Sequence, residues 1–158
     1  MSDEANNQRA RVATVKTEVL RLDGGPFALT GGGVLPEVDV AYQAWGKLNE
    51  SKSNVILVSH ALSGSHHASG YNPHLPEAGL LWKEELHHGW WDDFIGPGKA
   101  LDTDRFFVIC ANYLGGCYGT TGPMSLNPET EKPYGSKFPQ VSVSDQVKMQ
   151  AALLDALG

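Results

Sequence analysis

Two short apolar runs constrain this chain more than anything else in it: VILV at residues 55–58 and FFVICA at residues 106–111. Four to six consecutive apolar residues, mostly β-branched or aromatic and bounded by polar or turn-forming sequence, read as strands covered on both faces. The first is therefore expected to be a parallel strand in the interior of a sheet, and the second another buried strand. Between them, residues 59–102 are loop-like in composition and hold all six histidines and three of the four tryptophans. A connection of that length is uncommon in a compact domain unless it carries function.

The remaining elements are placed by periodicity. Residues 38–44 alternate, with Val38, Val40, Tyr42 and Ala44 on one side and Asp39, Ala41 and Gln43 on the other, which predicts a half-exposed strand. Residues 15–22 (VKTEVLRL) read weakly as a strand, and the triplets at 24–26 (GGP) and 31–33 (GGG) mark turns. Residues 142–158 predict the clearest helix: Ser142 with Asp145 resembles a capping box, Val147, Gln150, Ala151, Leu154 and Leu157 form the expected apolar face, and Gly158 sits at a C-cap. Strands, a long loop, a strand, a second long loop and a helix make an α/β arrangement whose sheet looks unfinished.

A length of 158 residues fits one domain. Residues 1–13 carry few apolar side chains and are expected to be a mobile tail, leaving 14–158 as the domain. Twelve basic residues against eighteen acidic ones give a net charge of −6, with no basic stripe, so nucleic acid is not an expected partner. Neither a signal-peptide core nor an 18-residue apolar run occurs, which makes the cytoplasm the expected location and a membrane an unexpected partner. Cys110 and Cys117 match neither a CxxC pair nor a zinc knuckle and are expected to be free thiols.

Chemistry is most plausible at HALSG, residues 60–64, directly after the first apolar run. In α/β enzymes ligands sit beyond the carboxyl ends of the strands. A tight glycine-containing turn there aims main-chain N–H groups outward, and such donors stabilise the oxyanion of acyl transfer. An ordinary strand-to-loop turn is the competing reading. The histidines at 60, 66, 67, 74, 87 and 88 form no HExxH and have no thiol or carboxylate at ligand spacing, so no metal site is expected. The segment GGCYGTTG at 115–122 resembles a phosphate loop but lacks a Gly-Lys-Ser/Thr ending, and Pro123 follows it. No GxSxG, the nucleophile elbow of acyl transfer on this type of fold, occurs in the 158 residues.

Taken together, HALSG (60–64), GWWD (89–92), IGPGK (95–99), LDTDRF (101–106), Asn112 with LGGC (114–117), TGP (121–123), Asn127-Pro128 and PYG (133–135) resemble the N-terminal part of the homoserine O-acetyltransferases. The resemblance runs from about residue 35 to 158. It implies the N-terminal part of an α/β-hydrolase fold, with an incomplete, mostly parallel sheet that stops before the nucleophile elbow. It also implies transfer of acetyl from acetyl-CoA, as substrate rather than bound cofactor, to the hydroxyl of L-homoserine through an acyl-serine intermediate, in methionine biosynthesis. Carried onto this sequence, the loop donor of the oxyanion hole is the backbone N–H of Leu62, with His60, Ala61, Ser63 and Gly64 shaping the pocket. The serine, aspartate and histidine of the triad match nothing in these residues, so the 158-residue chain is expected to be inactive alone, and the complete enzyme to be a homodimer. A non-catalytic interaction module, and a related serine or homoserine acyltransferase with another acyl donor, are the alternatives.

Overall fold

The computed structural model describes residues 13–73 and 84–158. The expected tail thus falls outside the described residues except for Ala13, whose carbonyl accepts from Tyr71 N–H at 3.0 Å. His74 also lies outside them. In chain order the strands are β1 (Glu18–Arg21), β2 (Phe27–Ala28), β3 (Val34–Leu35), β4 (Asp39–Trp45), β5 (Val55–Val58), β6 (Ile95–Gly96), β7 (Leu101–Asp102), β8 (Phe107–Ala111), β9 (Leu126–Asn127) and β10 (Lys132–Pro133), followed by helix α1 (Val143–Leu157).

Four of these form a mixed sheet in the order β1-β4-β8-β5. β4 is antiparallel to both β1 and β8, whereas β5 runs parallel to β8 with Val58 opposite Cys110. That parallel register decides where a site can form, because the chains leaving β5 and β8 emerge side by side at one end of the sheet. β5 is the parallel strand its composition predicted; among the described residues it is paired on one edge, by β8, and Val55 is 38% exposed.

Alternation along the strands sends side chains to two cores. Val40 on β4, Leu57 on β5 and Ile109 and Ala111 on β8 face Met149 and Leu153 of α1, whereas Ile56, Val58, Val108 and Cys110 face Ala68 and Ile95 of the long loop. The loop therefore covers the face that a second helix layer would cover. For the same reason β4 is not half-exposed. Ala41 and Gln43, on the expected polar side, are fully buried, because the loop folds over them and His67 gives the Gln43 carboxamide a partner.

Helix α1 begins and ends where expected, with a complete capping box between Ser142 and Asp145 and Gly158 at the C-cap, but its buried face is shifted. Met149 and Leu153 are buried, Leu154 and Leu157 flank them, and Val147 is 61% exposed. The buried row begins with Asp145, a fully buried carboxylate that also accepts from Thr30 N and Oγ1 at 2.8 and 2.7 Å, and so ties the helix to the β2–β3 turn. Hydrogen bonds from Ser142, with those from Thr30, hold its pKa well below the usual carboxylate range. Removing the Ser142 side chain (Ser142→Ala) is expected to cost about 1 kcal/mol, the usual worth of a cap. Asp145→Ala strips the acceptor from Ser142 and Thr30 together and is expected to lower the Tm further than Ser142→Ala does, a ranking that paired thermal melts will check.

Candidate active site

HALSG leaves β5 as a tight turn. Gly64 N–H donates to Ala61 C=O at 2.8 Å, which closes the turn over Leu62 and Ser63. A Cβ at Gly64 would lie 3.2 Å from both the Ala61 oxygen and the His60 Cβ, closer than side chains ordinarily pack. Closing the turn leaves the N–H groups of Leu62 and Ser63 outside it, and neither donates to any described residue. Leu62 is 96% exposed as a residue, so it contributes almost no packing.

The turn is clamped from β8. Tyr113, two residues beyond the strand, donates its hydroxyl to His60 C=O at 2.6 Å and packs its ring, tilted by 31°, against the His60 ring with centroids 3.9 Å apart. Tyr113 is held in turn by its neighbours. Leu114 exchanges two hydrogen bonds with the Gln146 side chain of α1, both at 2.8 Å, and Gly116 N–H closes a second turn on Tyr113 C=O. The helix thereby fixes the loop that fixes the turn.

Between the two loops lies a cleft of about 230 Å³, walled on the β5 side by His60, Leu62, Ser63 and Gly64 and on the β8 side by Asn112, Tyr113, Gly116, Cys117 and Tyr118. None of these nine residues is Asp, Glu, Lys or Arg. Such a neutral wall with unengaged N–H groups suits a developing oxyanion, because no charged side chain competes for the donors. Of the residues expected to shape the pocket, His60, Ser63 and Gly64 line it; Ala61 supplies only the carbonyl that closes the turn.

His66 and His67, beyond the turn, tie the loop to neighbouring strands and segments. His67 places Nδ1 2.9 Å from Gln43 Oε1 and Nε2 2.8 Å from His87 C=O, and His66 Nε2 lies 2.9 Å from Thr17 Oγ1. Among the described residues no cluster of three His, Cys, Asp or Glu could hold a metal ion. Burial, reinforced by His67 and His60 nearby, lowers the His66 pKa from 6.5 to about 3. The unfolded chain therefore binds the extra proton between about pH 6.5 and pH 3 and the folded chain does not, so stability falls as pH drops through that window. Urea midpoints should fall on going from pH 6.5 to pH 5 by the equivalent of roughly 2 kcal/mol, at about 1.4 kcal/mol per pH unit. His66→Gln should flatten that slope. Cys110 is a buried free thiol with its pKa pushed up to about 12 by burial, and Cys117 is a free, exposed thiol on the cleft wall.

Comparison with known proteins places this geometry. No family model matches the chain. It is 51% identical over 147 residues to the homoserine O-acetyltransferase of Deferribacter desulfuricans, and 50% identical over 147 residues to the homoserine O-succinyltransferase of Alkalilimnicola ehrlichii. Each alignment covers 93% of this chain and 36% of the relative. The chain belongs to the homoserine O-acyltransferase family. It spans about a third of the length of the curated relatives it matches. Among solved structures, the homoserine O-acetyltransferase of Bacillus anthracis superposes with a TM-score of 0.74 at 35% identity, over 92% of this chain and 38% of that one. Esterase E22 superposes with a TM-score of 0.73 at 43% identity, over 91% and 38%. These neighbours share the α/β-hydrolase fold, and the mixed sheet with its packed helix is part of it. No described helix is long and apolar enough to cross a membrane.

Sequence reasoning found one wall of the cleft and missed the other. The sequence offers residues 115–122 as a phosphate-loop look-alike and, with Asn112, as part of the resemblance; it offers no role for Tyr113. The signal that could have found them is topological: β5 and β8 are neighbours in parallel, so whatever follows FFVICA must face whatever follows VILV.

Proposed function

We propose that these residues form the oxyanion wall of a homoserine O-acyltransferase, with the Leu62 N–H as donor. In this reading a serine outside these 158 residues attacks the thioester carbonyl of acetyl-CoA. The carbonyl oxygen becomes an anion facing Leu62 N–H; the tetrahedral intermediate collapses, expelling the CoA thiolate and leaving an acyl-serine. The hydroxyl of L-homoserine then attacks the acyl-serine, a second tetrahedral anion forms at the same donor, and O-acetylhomoserine leaves. The observation that carries the reading is the Ala61–Gly64 turn itself, closed on its own carbonyl so that the Leu62 N–H faces outward beside a neutral cleft. Acetyl-CoA is the proposed donor, and the succinyltransferase name of one relative makes succinyl-CoA its rival.

Likeness to esterase E22 favours a second reading, in which water replaces the alcohol. Free thiol release from acetyl-CoA by the full polypeptide that the gene encodes separates the two. Under the proposal, release accelerates with L-homoserine and O-acetylhomoserine accumulates in equal amount. Release that ignores homoserine and yields acetate supports the esterase, and no release from either acyl-CoA contradicts both. The 158-residue chain alone is expected to release none, since it brings donors without a nucleophile.

A further inference from the structure

The Leu62 N–H shares one planar peptide unit with the Ala61 C=O, and the described peptide bonds are all trans. In a trans unit the two groups point in opposite directions, so whatever holds the carbonyl aims the N–H. Two donors hold this carbonyl, Gly64 N–H at 2.8 Å and His60 Nδ1 at 2.7 Å. A carbonyl only accepts, so Nδ1 carries the ring proton, and with Gly64 it fills both lone pairs of the oxygen. The next peptide unit has no such hold, since Leu62 C=O accepts from no described residue. Of the two N–H groups outside the turn, only that of Leu62 is therefore pinned from behind. The Ser63 N–H belongs to the central unit of the turn, whose rotation separates type I from type II.

His60 is itself built into place. It is 5% exposed, its ring packs against that of Tyr113, and its own C=O accepts from the Tyr113 hydroxyl at 2.6 Å. Burial lowers its pKa and keeps the ring neutral near pH 7. Nε2 is sealed from solvent and has no partner among the described residues. A ring that shows the cleft no free nitrogen cannot exchange protons with a substrate. What it does instead is orient the Ala61–Leu62 peptide. By donating to the carbonyl it also polarises the N–H at the other end of the unit, since linked hydrogen bonds strengthen one another.

We propose that His60 is a positioning residue for acyl transfer: through Nδ1–H it fixes the Ala61–Leu62 peptide and so aims the Leu62 N–H at the oxyanion. The proposal rests on the acyltransferase reading and adds to it the side chain that preorganises the donor. Both half-reactions pass through a tetrahedral anion at this donor, so a change at His60 must reach both.

The test uses the full polypeptide encoded by the gene. Thiol release from acetyl-CoA or succinyl-CoA reports acylation, and formation of the O-acylhomoserine reports deacylation. His60→Phe keeps a ring against Tyr113 and deletes the Nδ1 donor. It should slow each half-reaction about 10- to 100-fold and by similar factors, the scale of a misplaced rather than a deleted group. His60→Asn, whose amide nitrogen stands at the same δ position, should regain most of that loss. In a Leu62→Pro background, where the N–H is gone, His60→Phe should add less than about threefold, because both changes act on one donor. Should His60→Phe fail to fold, the wild type labelled with ¹⁵N-histidine decides: the His60 ring proton, assigned by the loss of its signal in His60→Asn, is expected on Nδ1. The proposal is overturned by a ring proton on Nε2, by a folded His60→Phe that turns over like wild type or slows only one half-reaction, or by losses that multiply with those of Leu62→Pro. Wild type that releases no thiol from either acyl-CoA sinks the acyltransferase reading instead, and the hold on Ala61 then stands or falls on the ring proton.

Discussion

Leu62→Pro is expected to lower kcat by about 10²- to 10³-fold in the full enzyme, the usual cost of deleting one oxyanion donor, with the KM for either substrate little changed. Proline is suited to the experiment because Leu62 is the second residue of the turn that Gly64 N–H closes on Ala61 C=O. That position favours the φ of proline, so the substitution removes the N–H and leaves the turn in place. Leu62→Ala, which keeps the N–H and shortens the side chain of a residue that is 96% exposed, should lose far less. The donor reading therefore predicts a large gap between two substitutions of one exposed residue. A reading in which the leucine side chain packs on substrate predicts the reverse order. If Ser63 N–H were the donor, both variants would stay near wild type.

The second large effect concerns stability. Gly89→Ala is expected to destabilise the fold by at least about 3 kcal/mol, at the severe end for one added methyl group. A Cβ at Gly89 would lie 2.2 Å from both the Cα and the N of Ser69 and 2.4 Å from the carbonyl carbon of Ala68, all main-chain atoms that cannot swing aside. Their closeness lets the segments bond as a pair: Gly89 N–H to Gly70 C=O at 2.9 Å and Trp91 N–H to Ala68 C=O at 2.7 Å. Asp92 completes the joint by accepting from Ser69 Oγ and Gly70 N–H at 2.9 and 2.8 Å. Because Ala68 is part of the core beneath β5 and β8, parting these segments uncovers one face of the sheet. Denaturant midpoints for Gly89→Ala and the exposed-site control Gly98→Ala should differ widely. Gly98 has open space for a Cβ, and only its positive φ opposes the change.

How much of this was legible in the sequence depended on whether a residue's neighbours were close along the chain. β8 and α1 were readable because a β-branched run and a capping box are local signals, and the turn at 60–64 was readable because a glycine beyond a strand is one too. The face of β4 that holds Gln43 was misread. Its burial depends on His67 and Thr17, 24 and 26 residues away, and alternation counts a glutamine as exposed. The buried row of α1 was misplaced for a related reason: it starts with a carboxylate, Asp145, made tolerable by Thr30, 115 residues away. Of the cleft, the wall after β5 followed from the resemblance, and the wall after β8 needed the parallel register.

The central claim is that the Leu62 main-chain N–H meets the oxyanion. It is tested most directly by the amide proton of Leu62 in the full polypeptide labelled with ¹⁵N-leucine, before and after a boronic acid that forms a tetrahedral anion on the nucleophile. The account predicts that the Leu62 signal, assigned by its disappearance in Leu62→Met, moves downfield on binding, while the signals of Leu57 in β5 and Leu153 in α1 stay in place. An inhibitor that binds and abolishes turnover while the Leu62 amide proton stays where it was would contradict it.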